Sequence, residues 1–235
     1  MNSSTIIKAI LVDIEGTTSS INFVHEVLFP YAKSRLSDFI KNNIEKTEVA
    51  KIISEAFEIE GLEASDQDIR IEKSIKLFEK WIIEDKKIKP LKDLQGMIWE
   101  SGYRNKDFFG HVYEDAYQTL LKWHKSGLKI FIYSSGSINA QKLLFGHSSY
   151  GDLNHLFSGN FDTQIGSKKE FESYRKITEA IKLKANEIIF LSDNSDELKA
   201  AKESGMKVIK LARPEDRIES DLNYLSVRNF QEIKL

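Results

Sequence analysis

The second half of this chain alternates short apolar runs with segments whose apolar residues recur at helical spacing. Strands are predicted near 128–133, 161–164, 187–192 and 206–211, and helices near 137–146, 170–183 and 194–204. Gly205 stands where a glycine that ends a helix belongs, and Tyr224–Val227 predicts a short final strand. Strands separated by helices favour a parallel sheet with right-handed crossovers. The sequence therefore predicts an α/β protein with a Rossmann-like parallel sheet.

The region between the first apolar run and about residue 105 has a different pattern. Its apolar residues recur at helical spacing, and they include Phe23, Val27, Leu28, Tyr31, Leu36, Ile71, Ile75, Phe78, Ile82, Leu91, Leu94, Met97 and Ile98. Pro30 is expected to kink or split the first of these helices, and residues 45–60 are charged and only weakly periodic. We expect a helical cap at 19–105 inserted into a catalytic core of 1–18 and 106–235.

Two acidic residues follow the first apolar run, in the segment Ala9–Thr18. Side chains alternate along a strand, so Asp13 and Glu15 share one face, and Gly16 lets the chain turn sharply. Neighbouring carboxylates repel each other unless a cation sits between them or one is protonated. Such a pair can hold a hard metal ion, with one carboxylate free to attack and the other to move protons. A strand-end Asp that only caps the next turn is the alternative.

Three further polar groups follow along the chain. Ser134 and Ser135 end the run Leu128–Tyr133 and open a helical pattern, where backbone N–H groups can cradle an anion. Lys168 supplies a cation, although charge alone does not separate it from Lys169. Asp193 ends the run that begins at Ile188. Ligands of open parallel sheets bind outside the carboxyl ends of the strands, so these groups are expected to meet at one edge.

This order of groups resembles the haloacid dehalogenase superfamily of phosphohydrolases. Within it, several stretches look like the enolase-phosphatase of the methionine salvage pathway: residues 13–18, 23–24, 28–31, 94–96, 132–137, 140–148 and 172–177. The similarity runs from the first strand to about the last, and the block from Ser134 to Ser148 is the most specific. Glu15 stands where most of these phosphatases carry a second Asp.

The resemblance implies a role for each candidate residue. Asp13 would be the nucleophile that forms an aspartyl-phosphate, and Glu15 the acid that protonates the leaving oxygen and then the base that activates water. Ser134, Ser135 and Lys168 would bind the phosphate. One Mg²⁺ per subunit would be held by Asp13, the backbone carbonyl of Glu15 and Asp193.

The function expected from the resemblance is conversion of 2,3-diketo-5-methylthiopentyl-1-phosphate to its enol, followed by loss of phosphate to give an acireductone. Another phosphatase or a dehalogenase of the same superfamily is an alternative, as is a regulatory domain that binds phosphate without hydrolysing it. Asp196 and Glu197 both remain candidates for the acid that orients the lysine, because a helix N-terminus favours acids at either position.

Composition excludes several other classes. The chain has 34 Lys and Arg against 36 Asp and Glu, which leaves no basic field to attract nucleic acid or an acidic membrane. It has no cysteine, which excludes disulfides, thiol nucleophiles and thiolate metal sites. The N-terminal residues Met1–Thr5 lack a signal-peptide pattern. We expect a soluble cytoplasmic monomer that acts on a small-molecule phosphate. If the source is eukaryotic, a nuclear location is an alternative.

Overall fold

A computed structural model describes residues 6–64, 66–84 and 86–235 of the chain. Residues 1–5, whose sequence lacks a signal-peptide pattern, lie outside this range. The chain forms two compact units: one contains the residues up to Val24 together with Phe109–Leu235, and the other is His25–Phe108. In the described ranges, no helix has both the length and the apolar character needed to cross a membrane.

The first unit is built on a parallel sheet. Within the described residues its strands are β1 (Ala9–Val12), β2 (Lys129–Tyr133), β3 (Gly159–Phe161), β4 (Ile188–Ser192), β5 (Lys207–Leu211) and β6 (Ser226–Val227). They lie in the order β3-β2-β1-β4-β5-β6, and every pair is parallel. The order reverses between β1 and β4, where ligands of doubly wound sheets bind. The predicted α/β class with a Rossmann-like parallel sheet is confirmed.

Burial explains why these segments form strands. All four residues of β1 and all five of β4 are buried, as expected for strands covered on both faces of a parallel sheet. The covering core includes Tyr133, Tyr174 and Phe190. Gly205, at φ +93°, follows the helix before β5, and its N–H bonds the carbonyl of Lys202. This matches the predicted glycine cap.

Helices connect the strands of the first unit. Numbered in chain order, they are α5 (Glu114–Lys125), α6 (Ile138–Gly146), α7 (Phe171–Ile181) and α8 (Ser195–Glu203). Short 3₁₀ turns lie at Asn154–Leu156, Ala185–Glu187, Pro214–Asp216 and Phe230–Glu232.

The second unit is helical. A π-helical segment, Phe23–Leu28, leads into α1 (Phe29–Asn43), which is followed by α2 (Thr47–Glu60), α3 (Gln67–Ile83) and α4 (Lys89–Asn105). Pro30 lies in the first turn of α1, directly after the π-helical segment, so the type of helix changes next to the proline. The helices pack around their own core, which includes Leu36, Phe78 and Trp81.

Two segments differ from the sequence patterns. The weakly periodic residues 45–60 contain helix α2, because Val49, Ile52, Ile53, Ala56 and Phe57 are buried on one side of it. The strand predicted near 161–164 is instead β3 at Gly159–Phe161. Asp162 ends it by accepting the N–H of Gln164 at 2.9 Å, which turns the chain away from the sheet.

Candidate active site

The turn after β1 holds Asp13 at the carboxyl edge of the sheet. The N–H of Asp13 donates to the carbonyl of Leu191 at 2.9 Å, and its Oδ1 accepts the N–H of Ile14 at 2.7 Å. Gly16 has φ +70°, and a Cβ at this position would lie 2.7 Å from Oδ2 of Asp193. Only glycine fits so close to that carboxylate in this conformation. Asp193 therefore lies beside the turn that follows Asp13, where the strand order reverses.

Lys168 reaches Asp13 from the loop between β3 and α7. Its Nζ lies 2.5 Å from Oδ1 of Asp13 and 2.7 Å from Oε2 of Glu197, and all three side chains are buried. Burial alone would lower the pKa of Lys168, but the two carboxylates outweigh it and hold that pKa above its usual value. Lys169 is exposed and pairs with Asp196 at 2.9 Å. Of the two adjacent lysines, Lys168 is therefore the one that pairs with buried acids. Of the two adjacent acids, Glu197 is the one that it meets, because Asp196 pairs with Lys169 at the surface.

Ser192 joins two of these carboxylates. Its hydroxyl lies 2.9 Å from Oε2 of Glu197 and 3.3 Å from Oδ2 of Asp13. Burial, and then repulsion from Asp13, raise the pKa of Glu197 to about 8, although Lys168 acts in the opposite direction. The Ser192 hydroxyl therefore links the two carboxylates that pair with Lys168.

Glu15 lies beside the hydroxyl turn that follows β2. The Ser134 hydroxyl donates to Oε2 of Glu15 at 3.2 Å and accepts the N–H of Gly136 at 3.1 Å. Burial, and then repulsion from Asp13, raise the pKa of Glu15 above its usual value. Such a shift increases the protonated fraction near neutral pH, so this carboxyl group is suited to donate a proton.

The hydroxyl turn is held in place by a buried glutamine. Nε2 of Gln141, on α6, donates to the carbonyls of Gly136 and Phe161 at 2.9 and 2.8 Å. Ser134 is buried, whereas Ser135 is exposed at the tip of the turn. The arrangement exposes one predicted phosphate-binding hydroxyl and directs the other toward Glu15.

Asp193 is anchored through its main chain. Its N–H donates to Oγ1 of Thr17 at 3.0 Å, and its carbonyl accepts from Nζ of Lys210 at 2.8 Å. Burial, and then repulsion from Asp13, raise the pKa of its carboxyl group to about 7. The negative charge of Asp193 is thus only partly offset by Lys168 and Lys210, because Asp13 repels it.

Some residues that support the site were not singled out from the sequence. Ser192 is the last residue of the buried strand β4, and Lys210 interrupts the buried apolar end of β5. That interruption is a usable signal, because buried polar groups need partners. Gln141 and Thr17 carry no such signal, since their surroundings depend on the tertiary fold.

The donor set fits a magnesium ion. Across the described ranges, no group of three or more His, Cys, Asp or Glu side chains is arranged to hold a metal. The expected set requires only Asp13, Asp193 and the main-chain carbonyl of Glu15. Mg²⁺ is commonly bound by one or two carboxylates, with waters and substrate phosphate completing its octahedron. Repulsion from Asp13 is, after burial, a cause of the raised pKa of Asp193, and a bound divalent cation would offset that repulsion.

Comparison with known proteins defines the class first. A family model described as haloacid dehalogenase-like hydrolase matches residues 7–205. The solved structure of L-2-haloacid dehalogenase from Xanthobacter autotrophicus superposes with a TM-score of 0.56 at 17% identity, covering 96% of each chain, and so shares the fold.

More similar proteins narrow the class to one family. "Enolase-phosphatase E1" of Aquifex aeolicus is 49% identical over 97% of this chain and 100% of its own length, and that of Sulfurihydrogenibium sp. is 52% identical over 97% and 98%. The crystal structure of the UTR4 protein from Saccharomyces cerevisiae is 32% identical, with a TM-score of 0.81 over 97% of this chain and 100% of that one. The chain therefore belongs to the enolase-phosphatase family of the haloacid dehalogenase-like hydrolases, and it is a phosphatase.

Proposed function

We propose that this phosphatase is a magnesium-dependent enzyme of methionine salvage. It would enolise 2,3-diketo-5-methylthiopentyl-1-phosphate and then dephosphorylate it to the acireductone 1,2-dihydroxy-3-keto-5-methylthiopentene. The observation that carries the proposal is the buried carboxylate of Asp13, held by Lys168 at 2.5 Å, with Glu15 beside Ser134. The names of relatives at about half identity support it.

Asp13 is the proposed nucleophile. Its carboxylate would attack phosphorus in line and form an aspartyl-phosphate, which splits one displacement into two easier ones. The ammonium of Lys168 offsets part of the charge that would otherwise repel the phosphate. One bound Mg²⁺, held by Asp13, Asp193 and the carbonyl of Glu15, would neutralise the remaining phosphate charge and orient it.

Glu15 is the proposed acid and base. In the first step its carboxyl group would give a proton to the leaving oxygen, and in the second its carboxylate would take a proton from the water that hydrolyses the aspartyl-phosphate. The position of Glu15 supports the first role, because burial disfavours the charged form of its carboxyl group and the Ser134 hydroxyl holds it at 3.2 Å.

Phosphate binding is assigned to Ser134, Ser135 and Lys168. A hydroxyl group and the backbone N–H groups of the turn before α6 would donate to phosphate oxygens. Glu197 would keep the Lys168 ammonium in place while the phosphate arrives, because it holds the same nitrogen at 2.7 Å.

The helical unit His25–Phe108 is the proposed cap, corresponding to the predicted insertion at 19–105. Chain continuity supports this role, because the unit is inserted between the turn that follows β1 and helix α5. A cap of this kind would exclude water from the reaction. We further propose that the enzyme is a cytoplasmic monomer that acts on this small molecule without nucleic acid or membrane partners.

The test is an assay of phosphate release from the diketo phosphate and from a panel of simple phosphate esters, with Mg²⁺ and with excess chelator. We expect Mg²⁺-dependent turnover of the diketo phosphate, with ultraviolet absorbance from the acireductone. Equal or faster turnover of simple esters would favour a general phosphatase of the superfamily. A protein that retains phosphate without turnover would be a regulatory domain.

A further inference from the structure

Two buried tyrosine hydroxyls hold the loop that carries Lys168. Tyr133, the last residue of β2, donates to the carbonyl of Gly166 at 3.0 Å, and Tyr174, on α7, donates to the carbonyl of Lys168 at 2.7 Å. Both tyrosines are fully buried. Their hydrogen bonds therefore fix two carbonyls within a three-residue segment.

The loop is also closely seated against α7. Gly166 has φ +146°, and a Cβ there would lie 2.1 Å from Oγ of Ser173. The ring of Tyr174 packs edge-on against Tyr133 at 5.5 Å and against Phe190 at 5.2 Å. The two hydroxyls are thus held by the core of the sheet, and they cannot follow the loop if it shifts.

The position of the main chain at Lys168 matters because the lysine side chain is buried and close-packed, with little room to readjust. Its Nζ must meet Asp13 and Glu197 at the same time, at 2.5 and 2.7 Å. A displaced main chain would move the ammonium away from one carboxylate, and small misplacements of a positioning group reduce rate strongly.

We propose that Tyr133 and Tyr174 are positioning residues that fix the main chain of Lys168 so that its ammonium bridges Asp13 and Glu197. The inference rests on the proposed function, in which Lys168 offsets charge at the nucleophile. It predicts that the two hydroxyls contribute to catalysis only through Lys168.

A double-mutant cycle tests this inference. Tyr174→Phe keeps the ring and removes one hydroxyl, so kcat/KM should fall about tenfold, the rate equivalent of one good hydrogen bond. In a Lys168→Ala background the same substitution should change kcat/KM less than about twofold, because the group it positions is gone. Single-turnover measurements with excess enzyme keep the slow variants measurable. Affinity for inorganic phosphate, measured by calorimetry, should follow the same pattern.

Tyr103→Phe is the matched control, because Tyr103 is a buried tyrosine of the helical unit. It should leave kcat/KM unchanged in both backgrounds. If Tyr174→Phe does not fold, Tyr133→Phe carries the same cycle. Equal losses in both backgrounds would indicate a structural role and overturn the inference. If Tyr174→Phe keeps its kcat/KM while Lys168→Ala is impaired, the inference is overturned but the proposed function stands. A fully active Lys168→Ala would contradict both the inference and the proposed function.

Discussion

The guanidinium of Arg213 donates from Nε to the main-chain carbonyl of Thr17 at 2.7 Å. The same guanidinium makes two hydrogen bonds of 3.0 Å to the carboxylate of Asp115, and it is almost fully buried. Thr17 in turn accepts the N–H of Asp193. A buried ion pair outside the catalytic cluster therefore supports the turn that carries the candidate site.

Replacing Arg213 by Met should destabilise the protein by about 3 kcal/mol, because removal of one partner leaves a mostly buried carboxylate unpaired. Urea unfolding of the two proteins measures this. Arg175→Met is the matched control, since Arg175 is exposed and pairs with Glu172 and Glu179 at the surface, and exposed pairs contribute little. Equal unfolding midpoints for wild type and Arg213→Met would contradict the prediction.

Asp13→Asn should lower phosphate release by a factor on the order of a thousand or more, as expected when a nucleophile is removed. The amide keeps the size of the side chain, and Lys168 keeps its contact with Glu197, so folding should survive. Asp196→Asn, which changes an exposed acid, is the control and should stay active. Near-normal turnover in Asp13→Asn would exclude the aspartyl-phosphate mechanism.

Much of the sheet could be predicted because its strands are short buried runs separated by helical patterns. Helix α2 could not, since charged residues separate the apolar positions that it buries, such as Ile52 and Ile53. The end of β3 was misplaced because Asp162 accepts the N–H of Gln164 two residues later and so turns the chain after Phe161. Turn chemistry of this kind competes with strand formation and is not visible in hydrophobic periodicity.

The sequence predicts in part which residues lie close together in the site. Strand ends place Asp13, Ser134 and Asp193 at one edge, which follows from the parallel topology. The choice between Lys168 and Lys169 could not be made from charge, because it depends on which side chain the loop directs inward. The same is true of Glu197 and Asp196, where one turns inward to Lys168 and the other faces solvent.

Removal of divalent metal should abolish phosphate release, and added Mg²⁺ should restore it. Ca²⁺ should bind but support little turnover, because it accepts looser and higher coordination and so does not hold the in-line geometry. Turnover and thermal unfolding, each measured with chelator, Mg²⁺ and Ca²⁺, separate binding from catalysis, since either bound ion should raise the unfolding temperature. Full activity in excess chelator would instead favour a dehalogenase-like reaction.

His111 should make the free energy of unfolding depend on pH. Its Nδ1 accepts the N–H of Ser20 at 3.0 Å. Burial lowers its pKa below the usual 6.5; Arg213 adds to this shift and Asp216 opposes it. Between the lowered value and 6.5 the unfolded chain binds more protons than the folded one, so the free energy of unfolding should rise with pH in that window.

His111→Asn tests this dependence, because the amide keeps an acceptor near the Nδ1 position but does not titrate. Urea unfolding of both proteins from about pH 5 to about pH 8 spans the titration of histidine. The difference in free energy of unfolding between wild type and variant isolates His111 from the titrating carboxylates. That difference should change most just below about pH 6.5 and become constant by about pH 8. A difference that is constant throughout would show that His111 does not cause the dependence.

Glu15→Gln separates the two reactions of the proposed enzyme. Dephosphorylation should be lost because the amide cannot transfer protons, whereas Mg²⁺ binding should be largely kept, since the expected ligand is the main-chain carbonyl. Enolisation need not fall equally, because a polarised carbonyl acidifies its neighbouring C–H group. Given the diketo phosphate, this variant should accumulate enol phosphate, detected by its ultraviolet absorbance. Equal loss of both steps would identify Glu15 as a shared base, and unimpaired phosphate release would assign proton transfer to another residue.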